Sequence, residues 1–184
     1  MADEGNEVER FRATNGRVVG VIGLAIALVV LVIPVVQDPS DVPPGLVAGC
    51  LLGGLVVWVV LLRPAARVEG ADLVLRGPLD SRWVPLAAID RAAVGVVLVV
   101  LVDGSRYTNT SISRTRRESA RDDKAVGDLA KRSYGAFVES RIRRLVDDAH
   151  AAGVPAGDVR RERAWPEIIG LAVLGVVFVV TMFL

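Results

Sequence analysis

Three uncharged apolar runs constrain this chain more than any other feature. Residues 18–36 (VVGVIGLAIALVVLVIPVV), 45–62 (GLVAGCLLGGLVVWVVLL) and 168–184 (IIGLAVLGVVFVVTMFL) contain no Asp, Glu, Lys or Arg. A helix needs roughly 17–25 such residues to cross about 30 Å of hydrocarbon, and all three runs fall in that range. The 184-residue chain is 52% hydrophobic but only 5% aromatic, an apolar excess concentrated in Val, Leu and Ala that points to membrane spans before a large core. Arg10, Arg12 and Arg17 precede the first run, as in a signal peptide, but the run is longer than a cleavable core. It leads into QDPSDVPP with no small-residue cleavage site, so a retained anchor is expected.

Lys and Arg near span ends set the expected orientation. The loop 37–44 carries Asp38 and Asp41 and no basic residue, whereas Arg17, Arg63, Arg67, Arg160, Arg161 and Arg163 flank the other span ends. The N-terminus and the region 63–166 are therefore expected on the cytoplasmic side of an inner membrane, as a multi-pass protein with the C-terminus reaching the outer face. Residues 1–16 read as a disordered cytoplasmic tail. Residues 17–62 read as a transmembrane hairpin (18–36, 45–62), and 167–184 as a third transmembrane helix. Gly45, Gly49 and Gly53 recur every four residues and form a helix face open to close backbone approach. Packing on the first span, which carries Gly16, Gly20 and Gly23, is the expected use of that face; a homo-oligomer contact is the alternative.

Between the second and third runs the pattern turns to short strands. Residues 67–69, 73–76 and 81–86 alternate, separated by Gly70-Ala71-Asp72 and Gly77-Pro78-Leu79-Asp80, where Gly and Pro supply turn geometry. Residues 94–102 are Val-rich and too few to span as a helix. They read as a strand buried on both faces and bent at Gly95, and Asp103-Gly104 then signals a hairpin into 105–112. From about Glu118 to Ala151 the period becomes helical, with Val126, Leu129, Ala130, Tyr134, Phe137, Val138, Ile142, Leu145, Val146 and Ala149 on one face. Gly153 and Pro155 end that helix. Residues 156–166 read as a charged connector.

A bent antiparallel sheet followed by an amphipathic helix has the plan of a pleckstrin-homology (PH) fold, since the helix can close the open end of the sheet's core. The stretch VEGADLVLRGPLDSRWVPLAAID at 68–90, with the apolar strand and DGSRY at 103–107 after it, resembles the small PH-like domains of actinobacterial membrane proteins of the low molecular weight protein antigen 6 type. In that family the unit follows a pair of membrane helices, as here. The resemblance implies an α+β membrane protein: a transmembrane helical hairpin, a cytoplasmic PH-like antiparallel domain over 63–155 (strands about 66–112, helix about 118–151), and a C-terminal span. It carries fold and context rather than chemistry.

Chemical motifs are sparse. The chain holds no GxSxG, Walker loop, HExxH or CxxC pattern, so an enzyme, a cofactor and a metal site are not expected. Cys50, the single cysteine, lies within an apolar run, and the single histidine, His150, stands near a helix end, where a cation is favourable. Net charge is +1, and no nucleic-acid motif accompanies it. Candidate anionic-lipid contacts are Arg76 and Arg82, which flank the second turn, and the cluster Arg114, Arg116, Arg117, Arg121 and Lys124, diluted by Glu118, Asp122 and Asp123. The leading expectation is a non-enzymatic, membrane-held scaffolding module for a protein partner at a sheet edge or beside the helix. Anionic-lipid sensing and service as an accessory subunit of a membrane complex are the alternatives.

Overall fold

The computed structural model describes residues 8–12, 16–124 and 133–183. In chain order the elements are β1 (Val8–Phe11), α1 (Arg17–Gln37), α2 (Pro44–Val57), β2 (Ala65–Glu69), β3 (Asp72–Arg76) and β4 (Asp80–Pro85). There follow β5 (Arg91–Val94), β6 (Leu98–Val102), β7 (Ser105–Asn109), α3 (Arg116–Lys124), α4 (Tyr134–Ala151), β8 (Arg160–Arg163) and α5 (Trp165–Phe183). The protein is α+β, and its chain divides into two compact units: the apolar helices within 16–63 and 163–184, and the strand-rich region 64–162 with β1.

In the helical unit, Pro44 starts α2 at the position where its missing N–H costs nothing. The helix continues through one wider turn, Trp58–Leu62, where Arg63 N–H donates to Trp58 O at 2.9 Å. α1, α2 with this turn, and α5 are each long and apolar enough to cross a membrane. Side chains such as Val18, Val29, Val176 and Val180 project away from protein, a surface that water would not tolerate and hydrocarbon would. Arg63 and Glu167, both nearly buried, pair at 2.8 Å between the end of α2 and the start of α5.

Gly45 and Gly49 of α2 do not serve α1, the use that the four-residue spacing of Gly45, Gly49 and Gly53 suggests. A Cβ at Gly45 would lie 2.7 Å from Met182 Cε, and one at Gly49 would lie 3.0 Å from Phe178 Cε2, so this face receives α5. Gly53 faces open space. The contact with α1 is made instead by glycines on both helices: Gly54 of α2 lies under Leu24, while on α1 Gly20 lies under Leu61 and Leu62, and Gly23 under Val57. Each helix pair thus places small residues of one helix beneath large residues of the other, and α2 contributes a different face to each neighbour.

The strand-rich unit holds two antiparallel sheets, ordered β1-β2-β3-β4-β8 and β5-β6-β7. Gly70 (φ 57°) turns β2 into β3, while Asp103 (φ 46°) and Gly104 (φ 72°) form the tight hairpin between β6 and β7. Leu73, Leu75, Val84, Leu98 and Val100 point inward from the sheets, and Val138, Ile142 and Val146, each one turn apart on α4, meet them in one core with Ile89 and Ile112. Asn109 is almost fully buried and ties the strands together. Its side-chain amide donates to Ala65 O (3.3 Å) and Arg76 O (2.9 Å), while its oxygen accepts from Ser111 N–H (2.8 Å).

Four further sequence expectations need correction. First, part of the N-terminal tail is a strand: β1 pairs with β2 (Phe11 opposite Ala66), and Phe11 joins the core. Second, 94–102 is not one bent strand. β5 and β6 fold back on each other around 95–97, with Val96 72% exposed, and β6 alternates buried and half-buried residues because only one face meets the core. Third, the helix expected over 118–151 is not continuous. α4 begins afresh at Ser133, whose extended backbone and hydroxyl cap it by accepting from Ala136 N–H at 3.3 Å; Val126, Leu129 and Ala130 lie outside the described residues. Fourth, the charged connector contains β8, which joins the larger sheet next to β4. In the first and fourth cases the deciding partner lies far away in sequence.

Candidate functional site

The arginines at the β3–β4 turn differ in their freedom. Arg76 ends β3 exposed and makes no ion pair among the described residues. Arg82 is held: Nε and Nη2 reach Asp80 Oδ2 at 3.1 and 2.9 Å, and its guanidinium lies 5.3 Å from the centre of the Tyr107 ring. Asp80 Oδ2 also meets Arg161 Nε at 2.9 Å, so one carboxylate serves two arginines. Next along β8, Arg160 stacks on Trp83 at 4.7 Å.

The second basic cluster does not form a single patch. Arg114 is turned inward, with Nη1 at 3.2 Å from Asp122 and Nη2 at 3.9 Å from Glu139. Arg117 and Arg121 are exposed on α3, and Arg116 and Lys124 mark that helix's ends. Asp122 is a hub: it accepts from Ser133 Oγ–H (2.5 Å), Ser133 N–H (2.7 Å) and Arg114. The Ser133 hydroxyl, foremost, holds the Asp122 carboxyl below its ordinary range against the opposing effect of burial, with the Ser133 N–H and Arg114 adding to it. Asp122 thereby ties the end of α3 to the start of α4. Glu118 is likewise lowered, first by the Thr115 N–H and then by the Thr115 hydroxyl. Glu118 and Thr115 form a reciprocal capping box, and the spacing Thr115-x-x-Glu118 is its sequence signature.

A cleft of about 590 Å³ has no counterpart among the sequence expectations. It is lined by Asp90, Asp103, Asp158, Ser105, Tyr107 and Val102, with further small residues from 87–88 and 156–159, and by no Lys or Arg. Its acids come from three separate parts of the chain, so no local motif announces it. Asp90 Oδ2 accepts from Asp103 N–H at 2.8 Å, which anchors the β6–β7 hairpin at the rim. The chain matches no family model, no curated protein and no solved structure. Chemistry must therefore be read from the geometry.

Among the described residues no group of three His, Cys, Asp or Glu could hold a metal ion. His150 Nε2 lies 2.9 Å from Ala87 O, which docks the last turn of α4. Cys50 is free and half-buried within α2. β7 is the last strand of its sheet, so among the described residues its outer edge pairs with no other strand, and Ser105 and Tyr107 of that strand line the acidic cleft.

Proposed function

We propose that this protein is a membrane-anchored, non-enzymatic interaction module of PH-like build whose cleft beside β7 receives an extended, basic segment of a protein partner. Two antiparallel sheets of mainly consecutive strands, closed by a C-terminal amphipathic helix, support the PH-like reading. β1 adds to it: the strand before α1 and the strand after α2 pair with each other, so the hairpin of spans is an insertion between neighbouring strands of one sheet. Both ends of the hairpin return to the same domain, which agrees with the cytoplasmic side that the basic flanking residues favour.

The observation that carries the binding reading is the unpaired edge of β7 beside a cleft bearing Asp90, Asp103 and Asp158. A free edge offers main-chain hydrogen bonds to an added strand, and the acids supply preference for Lys or Arg on that strand. An accessory-subunit role through the α2 glycine face has less support, because Phe178 and Met182 of α5 occupy the faces of Gly49 and Gly45.

The test is amide hydrogen exchange at 105–109 in the full-length protein in nanodiscs, with extended peptides that alternate apolar residues with either Lys or Glu. Slower exchange with the Lys peptides, abolished by Asp158→Lys, is expected. Equal or absent protection with the two peptide series would reject the reading.

A further inference from the structure

The β3–β4 turn combines three features that suit a lipid surface. The first is position. β2 begins at Ala65, three residues after Leu62 of the second apolar segment, a stretch that reaches at most about 11 Å. In the sheet Ala65 lies opposite Arg76, and Arg76 opposite Ser81, so the turn Gly77-Pro78-Leu79 sits at the end of the sheet where β2 starts. β1 ends there too, with Phe11 opposite Ala66 and α1 starting at Arg17. β8 runs towards the same end, from Arg160 beside Trp83 to Arg161 on Asp80, and α5 begins two residues beyond its last residue. All three chain connections to the apolar helices leave from this end of the sheet.

The second feature is an apolar tip. Leu79 is 44% exposed although it belongs to a polar, strand-rich unit with a well-filled core. The third is charge. Arg76 has no carboxylate partner among the described residues, and the only acid of the turn, Asp80, is outnumbered by Arg82 and Arg161. An exposed Leu flanked by arginines suits the boundary between headgroups and acyl chains: the side chain leaves water, and guanidinium groups donate to phosphate.

We infer that the β3–β4 turn is a membrane contact, in which Leu79 enters the interface while Arg76 and Arg161 bind the phosphates of anionic phospholipids in the bilayer that the three helices cross. This contact does not depend on the cleft beside β7. It does rest on the helices spanning, so the experiment reads both.

In a Cys50→Ser background, Leu79→Cys, Ala71→Cys at the opposite end of the same sheet, and Val29→Cys in mid-α1 each carry an environment-sensitive fluorophore. The full-length proteins are placed in nanodiscs containing spin-labelled quencher lipid, made either of phosphatidylcholine or of equal parts phosphatidylcholine and phosphatidylglycerol. The Val29 probe is expected to be quenched in both, the Leu79 probe in the anionic mixture above all, and the Ala71 probe in neither. Arg76→Gln should weaken the Leu79 contact about five-fold, the effect of removing one basic residue near an anionic surface. Quenching at Leu79 no greater than at Ala71, with Val29 quenched, would overturn the contact while leaving the spans intact. An unquenched Val29 probe would remove the spanning premise. Leu79 quenching that is equal in the two lipids and indifferent to Arg76→Gln would refute the headgroup interaction.

Discussion

Phe11→Ala tests whether the N-terminal strand is part of the domain. Phe11 is 6% exposed and packs within the same core as Leu73, Val84 and Ile142. Truncating a buried Phe to Ala costs about 3–5 kcal/mol through lost transfer energy and an unfilled cavity. β1 is four residues long and pairs on one side only, with β2, so it can open locally without unfolding the whole domain. That escape places the expected loss near the lower limit, about 3 kcal/mol, or about two orders of magnitude in an opening equilibrium. Two interactions oppose the opening and should fail along with it: Glu9 with Arg141 (3.1 Å), and the Arg12 N–H donating to the Tyr134 hydroxyl (2.7 Å). Amide hydrogen exchange of 65–69, measured on the full-length protein in detergent, reads the change directly, because β1 shields that edge of β2. Arg10→Ala, on the exposed face of the same strand, is the control and should change exchange by less than about 0.5 kcal/mol. Equal exchange in Phe11→Ala and Arg10→Ala would show that β1 does not hold the sheet, and the reasoning would fail.

The remaining predictions concern acid sensitivity and helix packing. Because the folded-state pKa of Asp122 lies below the ordinary 3.8, its contribution to stability is complete above that value and is lost as pH falls through the lowered native value. Thermal unfolding midpoints measured from about pH 5 downward should therefore fall less steeply in Asp122→Asn than in the native protein; parallel curves would contradict the Ser133–Asp122 latch. In the helical unit, Gly49→Leu forces a side chain against Phe178, which would stand 3.0 Å from the new Cβ, and overpacking of this kind costs about 1–3 kcal/mol. Thiol labelling of Cys50 during denaturation should begin earlier in that variant, whereas Gly53→Ala, which faces open space, should leave the labelling curve unchanged.

Features that depend on near neighbours are legible in the amino-acid sequence alone. Charge-free runs of spanning length mark α1, α2 and α5, since a helix satisfies its backbone internally and the run need only be apolar and long enough. The turns at Gly70, Gly77-Pro78 and Asp103-Gly104 likewise announce themselves, because positive φ and a fixed proline ring are properties of single residues. The amphipathic stretch of α4 carries its period openly. Of the surface residues named from sequence, Arg76, Arg117 and Arg121 are indeed exposed, but exposure is the default for arginine and says little.

What the sequence conceals depends on partners distant along the chain. Glu9, Arg10 and Phe11 look like a tail until β2, more than fifty residues away, supplies an edge to pair with. Arg160–Arg163 read as a solvated linker until β4 lies beside it. Arg114 looks like one of five cations until Asp122 and Glu139 close on it, and Gly45 and Gly49 look made for α1 until Met182 and Phe178 of α5 claim that face. Asp90, Asp103 and Asp158 form a cleft only because the β6–β7 hairpin, the segment before β5 and the segment after α4 converge. Local backbone preference is a property of a few adjacent residues, so it survives in a one-dimensional string. Strand addition, ion pairing and cavities require that loops be closed first, and only the folded chain specifies which loops those are.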